Sequence, residues 1–95
     1  MNQKIIKCKD FEIGNNRKIV LISGPCQMES EDHAVEMAYK IKEITGKLNI
    51  NLIYKTSFDK ANRTSIGGKR GLGLEKSLKV FDKIKNEVKL PTLTD

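Results

Sequence analysis

Tryptophan is absent from this chain of 95 residues, aromatics make up 5%, and there are only two prolines, two cysteines and one histidine. Each shortage excludes something. Few aromatics leave a modest core for one small domain, and no basic run is interleaved with aromatic rings as a stacking platform for nucleic acid requires. Nucleic acid is therefore not an expected partner. Cys8 and Cys26 show no paired spacing and no export signal, which excludes a disulfide framework and leaves thiols in a reducing compartment. No stretch approaches the ~18 consecutive apolar residues of a membrane span, and "MNQKIIKCKD" lacks the apolar segment and cleavage site of a signal peptide. The expectation is a cytoplasmic chain with no membrane partner.

What is present is basic charge, Lys+Arg 18 against Asp+Glu 12, for a net charge of +6. Lysines are spread widely, but one cluster stands out. The run "YKTSFDKANRTS", residues 54–65, holds Lys55, Lys60 and Arg63 with several hydroxyl and amide donors and one acid, Asp59.

Residues 4–13, "KIIKCKDFEI", followed by the turn-forming "GNNR", predict an N-terminal β-hairpin within residues 1–18. "KIVLISGP" is a continuous apolar run, the pattern of a strand with both faces covered. Ser30 is placed to cap a helix whose first turn carries Glu31 and Asp32. Ala34, Met37, Ala38, Ile41, Ile44 and Leu48 predict its buried face, and Gly46 predicts its loosening or end. A second strand, "INLIYKTS", precedes an irregular Gly-containing stretch from Phe58 to Gly73. Leu74, Leu78, Phe81, Ile84 and Val88 then predict a second amphipathic helix, and "LPTLTD" a third strand. Alternating strands and helices imply an α/β fold with parallel pairing and right-handed crossovers over residues 19–95. Ending on a strand leaves an unpaired edge, as in part of something larger.

In parallel α/β folds ligands gather at the carboxyl ends of strands. "SGPCQMES", "KTSFDKANRTS" and "TD" all fall there. Lys55 shares a strand face with Ile53, so its stem can follow the apolar side while its ammonium reaches the rim, where it needs a partner. Lys60 and Arg63 with Asn62, Thr64 and Ser65 suit anionic groups, Arg by its planar fork and Lys as a point charge. The competing interpretation is a solvated loop paired locally with Asp59 or Glu75. Cys26 is equally open: a lone cysteine is commonly a small buried hydrophobe, and one thiol does not define a metal site. His33 is expected to be an exposed helix residue.

"ISGPCQMES", "KTSFDKANRTS", "RGLGLEKSLKVF" and "PTLTD" together resemble the N-terminal part of the 3-deoxy-D-manno-octulosonate 8-phosphate synthase family, over nearly the whole chain. The resemblance implies a (β/α)₈ TIM barrel with the hairpin closing its bottom, usually in a homotetramer. A barrel takes about 250 residues, so this chain would hold its first third. It also implies condensation of phosphoenolpyruvate with D-arabinose 5-phosphate and water, with release of phosphate, in making the inner-core sugar of lipopolysaccharide. On that basis Lys55 and Lys60 would contact phosphoenolpyruvate, Asn62, Arg63 and Thr64 the sugar phosphate, and Asp95 would line the site. Threonine at 64 replaces the family's usual serine and keeps a hydroxyl. Cysteine at position 26 marks the family's metal-dependent class and implies a divalent ion with Cys26 as one ligand. "GGKRGLG" departs from the family's more usual loop while retaining Arg70. The alternatives are a 3-deoxy-D-arabino-heptulosonate 7-phosphate synthase, which shares "GPC-x-x-ES" but usually carries a Pro-Arg-Thr run absent here, and a non-catalytic chain binding phosphate weakly through Lys55, Lys60 and Arg63.

Overall fold

The computed structural model describes residues 5–58 and 73–95. A short antiparallel hairpin pairs β1 (Ile6–Cys8) with β2 (Phe11–Ile13). Its turn is Lys9-Asp10, with Lys9 in the left-handed region at φ 52°, so "GNNR" follows the hairpin rather than closing it. Beyond it, β3 (Val20–Ser23), β4 (Asn51–Lys55) and β5 (Thr92–Leu93) form a three-stranded sheet in that order, both pairs parallel. The connection between β3 and β4 is helix α1 (Glu31–Lys47); that between β4 and β5 carries α2 (Leu74–Lys83) and a π-helical continuation, Ile84–Val88. This is the expected α/β alternation.

Ser30 caps α1 as its sequence position predicts, its Oγ accepting from the His33 N–H at 3.1 Å. His33 is exposed, as expected. The helix runs through Gly46 to Lys47, however, and the chain turns at Asn49, whose φ is 56°. Asn tolerates that left-handed conformation, so a residue past the glycine supplies the stop.

The core lies between the helices and one face of the sheet. Leu52 and Tyr54 of β4 join Ala34 and Ala38 of α1 and Val80, Phe81, Ile84 and Val88 of the second helical segment. The predicted helix faces are rotated from the observed ones. Ala34, Ala38 and Thr45 are buried on α1 while Ile44 and Leu48 are exposed; on α2, Ser77 is buried while Leu74 and Leu78 are exposed. Thr45 tolerates burial because its hydroxyl donates to the Ile41 and Lys42 carbonyls, at 3.0 and 3.1 Å, and so needs no outside partner. The apolar run of β3 is a second departure. Ile19, Leu21 and Ile22 are all exposed, so among the described residues this strand is not covered on both faces.

The second helical segment ends where Lys89 turns left-handed at φ 62° and donates its N–H to the Ile84 carbonyl at 3.0 Å. Pro91 prevents the preceding residue from continuing a helix. The carbonyl of Val88, orphaned at that end, accepts from Lys42 Nζ of α1 at 2.5 Å, which ties the two helices together.

Tyr54 fixes α1 to the sheet. Its ring is fully buried, its hydroxyl donates to the Ala34 carbonyl at 2.8 Å, and burial pushes the phenol from 10.0 up to about 12. The folded chain therefore holds this proton above the pH at which the unfolded chain releases it. The associated stability is fully present below pH ~10 and is lost as pH rises toward 12, for a total of about 2–3 kcal/mol. Denaturant melts at pH 8 and pH 11.5 should show that loss in the wild type. Tyr54→Phe should start lower by about 1 kcal/mol for the missing hydrogen bond and lack this part of the alkaline slope.

Candidate functional site

Parallel pairing in register places Ser23 beside Tyr54 and brings the carboxyl ends of β3 and β4 to one rim. The chain leaving β3 stays against β4: Gln27 bridges to Ser57 in parallel, and the Met28 N–H donates to the Ser57 carbonyl at 2.8 Å. Gly24 is what permits this approach. A Cβ there would lie 1.9 Å from the Lys55 carbonyl oxygen and 2.8 Å from its carbon. Glycine is needed here for backbone proximity, not for an unusual φ.

Between the two strand ends lies an open cavity of about 310 Å³, lined by Ile22, the run Ser23–Cys26 and the run Lys55–Ser57. That is the small end of the range for small-molecule sites. Cys26 presents an exposed thiol at this rim, so it is not the buried small hydrophobe that a lone cysteine commonly is.

Side chains alternate along β4. Leu52 and Tyr54 face the helices, which turns Ile53, Lys55 and Ser57 to the opposite side. Lys55 finds the partner its position demands in Asp95, two residues past β5, with Nζ 3.7 Å from Oδ2. Asp95 Oδ1 accepts from the Ser57 hydroxyl. Three strand ends thus contribute to one rim: Cys26 after β3, Lys55 and Ser57 at and after β4, and Asp95 after β5. Lys60, Asn62, Arg63 and Thr64, with Asp59 and Arg70, lie outside the described residues.

Ser57 is not among the site residues expected from the sequence, although its spacing of two from Lys55 is a signal for it. Gln27 was missed as well. It is 3% exposed, and neither side-chain polar atom has a hydrogen-bond partner among the described residues. No spacing pattern marks such a residue.

The arrangement offers a cation, a hydroxyl and a thiol around a small cavity, with a carboxylate tethering the first two. It can hold a compact anion. For a metal it offers one soft ligand, the Cys26 thiol; the described residues contain no group of three or more His, Cys, Asp or Glu side chains able to enclose an ion. An exposed thiol on a cavity rim fits one corner of a coordination sphere.

A parallel α/β chain with its polar residues gathered at the carboxyl strand ends defines a class of small-molecule sites. Within that class this chain belongs to the DAHP synthetase I family, whose model matches residues 2–95. Curated relatives named 2-dehydro-3-deoxyphosphooctonate aldolase match 93 residues, 98% of this chain. Those of Rickettsia typhi and Rickettsia canadensis are 55% identical and that of Rickettsia prowazekii 54%. The chain spans about a third of the length of these relatives, 34% in each case.

Proposed function

We propose that this chain forms the first third of a (β/α)₈ barrel that condenses phosphoenolpyruvate with D-arabinose 5-phosphate and water to give 3-deoxy-D-manno-octulosonate 8-phosphate and phosphate. The observation that carries the proposal is the convergence of Cys26, Lys55 and Asp95 on one rim at the carboxyl ends of adjacent parallel strands. The relatives' printed name and the "SFDKANR" run agree with it. In the barrel, the exposed apolar side chains of β3 would be covered by further strands and helices, and the hairpin would close the bottom. The enzyme would work in the cytoplasm as a homotetramer.

Lys55, with Lys60, would hold the phosphate and carboxylate of phosphoenolpyruvate, while Asn62, Arg63 and Thr64 would hold the phosphate end of the sugar. Fixed cations keep the two anionic substrates together and offset charge as the enol carbon attacks the aldehyde, water adds at the second carbon and phosphate leaves by C–O cleavage. Cys26 would ligate a divalent ion whose remaining ligands lie outside the described residues; bound there, it would supply Lewis-acid orientation of an aldehyde or a water.

The alternative aldose, erythrose 4-phosphate, is the substrate of the heptulosonate synthases after which the family model is named. Expression of the whole reading frame that encodes this chain, followed by phosphate-release assays with each aldose, separates the two. The expected result is turnover with arabinose 5-phosphate, little with erythrose 4-phosphate, and loss on chelation that added divalent metal restores. Preference for erythrose 4-phosphate would overturn the substrate assignment, and activity unaffected by chelator would overturn the metal.

A further inference from the structure

β5 is the shortest strand among the described residues, two residues long, and it meets β4 where the Tyr54 N–H donates to the Pro91 carbonyl at 2.9 Å and the Thr56 N–H to the Leu93 carbonyl at 3.2 Å. So short a strand has little hold of its own. What fixes its approach lies just before it. Between Val88, the last π-helical residue, and Pro91 the chain has almost no slack: Lys89 is left-handed at φ 62°, Leu90 is buried, and the Pro91 ring sets its own φ. Three residues reach at most about 10 Å, so the place of the Val88 carbonyl limits where the Pro91 carbonyl can lie. That carbonyl is held from another element, by Lys42 Nζ of α1, 46 residues away in the chain. A cation at a helix carboxyl end also meets the negative end of the dipole, which makes the contact stronger than one between neutral groups.

We propose that Lys42 is a strap that seats β5: by holding the Val88 carbonyl it fixes where the chain leaves the helix, and so keeps the Pro91 and Leu93 carbonyls on the Tyr54 and Thr56 amides. The strand order is β3-β4-β5, so α1, which follows β3, governs the strand on the other side of β4 and with it one side of the rim. The device works whatever ligand that rim takes. A tie that only held the two helices together would stabilise every element alike, whereas a strap acts on β5 first.

Amide hydrogen exchange of the full chain, followed by NMR for wild type, Lys42→Met and Lys42→Arg, separates the two. Methionine keeps the apolar stem and loses the donor. The Tyr54 and Thr56 amides should exchange about tenfold faster in Lys42→Met, as expected where one hydrogen bond guards a local opening. The Met28 amide, which donates to the Ser57 carbonyl and takes no part in β5, should change by less than about twofold. Arginine keeps a cationic donor, so Lys42→Arg should hold the Tyr54 and Thr56 amides within about threefold of wild type. Lys42→Gln, with a shorter and neutral donor, gives the same comparison if the methionine variant does not fold. Equal acceleration at Met28, Tyr54 and Thr56 would mean that Lys42 lends only general stability and would overturn the inference. So would no acceleration at Tyr54 and Thr56, or acceleration as large with arginine as with methionine.

Discussion

Gly24→Ala is expected to cost about 1–3 kcal/mol or more, the range for forcing atoms into a filled space. The added Cβ would meet the Lys55 carbonyl oxygen at 1.9 Å and its carbon at 2.8 Å, both backbone atoms, and real Cβ atoms essentially never come within 3.0 Å of such neighbours. No rotamer change relieves the clash. The ends of β3 and β4 must part by about 1 Å, close to where the Met28 N–H meets the Ser57 carbonyl at 2.8 Å. Since whole domains retain only about 5–15 kcal/mol, the loss is a large share of the total. The damage should also reach the rim, because Lys55 and Ser57 are carried by the strand end that moves. Gly46→Ala is the matched control. Nothing lies within 4 Å of its Cβ, and it sits inside α1, where alanine should stabilise by about 0.5–1 kcal/mol. Chemical denaturation of the two variants beside the wild type checks both signs. Equal stability of Gly24→Ala and wild type would show that the strand ends are not clamped as described.

The elements were legible where one local rule dominated. Ser30 with two acids behind it specified the start of α1, and alternating apolar runs and amphipathic segments specified the parallel pairing of β3 with β4. The position of Lys55 specified that it would need a partner. Other features depend on contacts between distant residues, which spacing does not encode. Ile44 and Leu48 satisfy the helical period as well as Ala34 and Ala38 do, and only the docking of α1 on Tyr54 selects the narrower face. On α2 the predicted Phe81 is buried with Val80, but a third buried position is taken by Ser77, which a search for apolar residues passes over. Asn49 ends α1 in place of Gly46 because the left-handed residue must lie past the last turn, not within it. The π-helical stretch before Leu90-Pro91 has no composition of its own. For the site, Cys26, Lys55 and Asp95 were named from the sequence and do meet on one rim. The hydrogen bond by which Ser57 helps to hold Asp95 there spans 38 residues and belongs to the fold alone.

On the proposed function, Lys55→Met should weaken binding of phosphoenolpyruvate about 10- to 100-fold, the equivalent of removing one charge-assisted contact worth about 1.5–3 kcal/mol. Methionine retains the apolar stem that lies along the Ile53 side of β4, so the fold should survive while the charge is lost. Asp95 also loses a half-exposed counter-ion, which costs little at that exposure. The direct measurement is an NMR titration of wild type and Lys55→Met with phosphoenolpyruvate, following amide shifts along the whole chain. The account predicts wild-type shifts concentrated at Ser23–Cys26 and Lys55–Ser57, little change at Lys7 and Lys9 in the hairpin, and near-complete loss of the response in Lys55→Met. Unchanged affinity in that variant, or shifts centred on the hairpin, would contradict the assignment of the anion site to the carboxyl ends of β3 and β4.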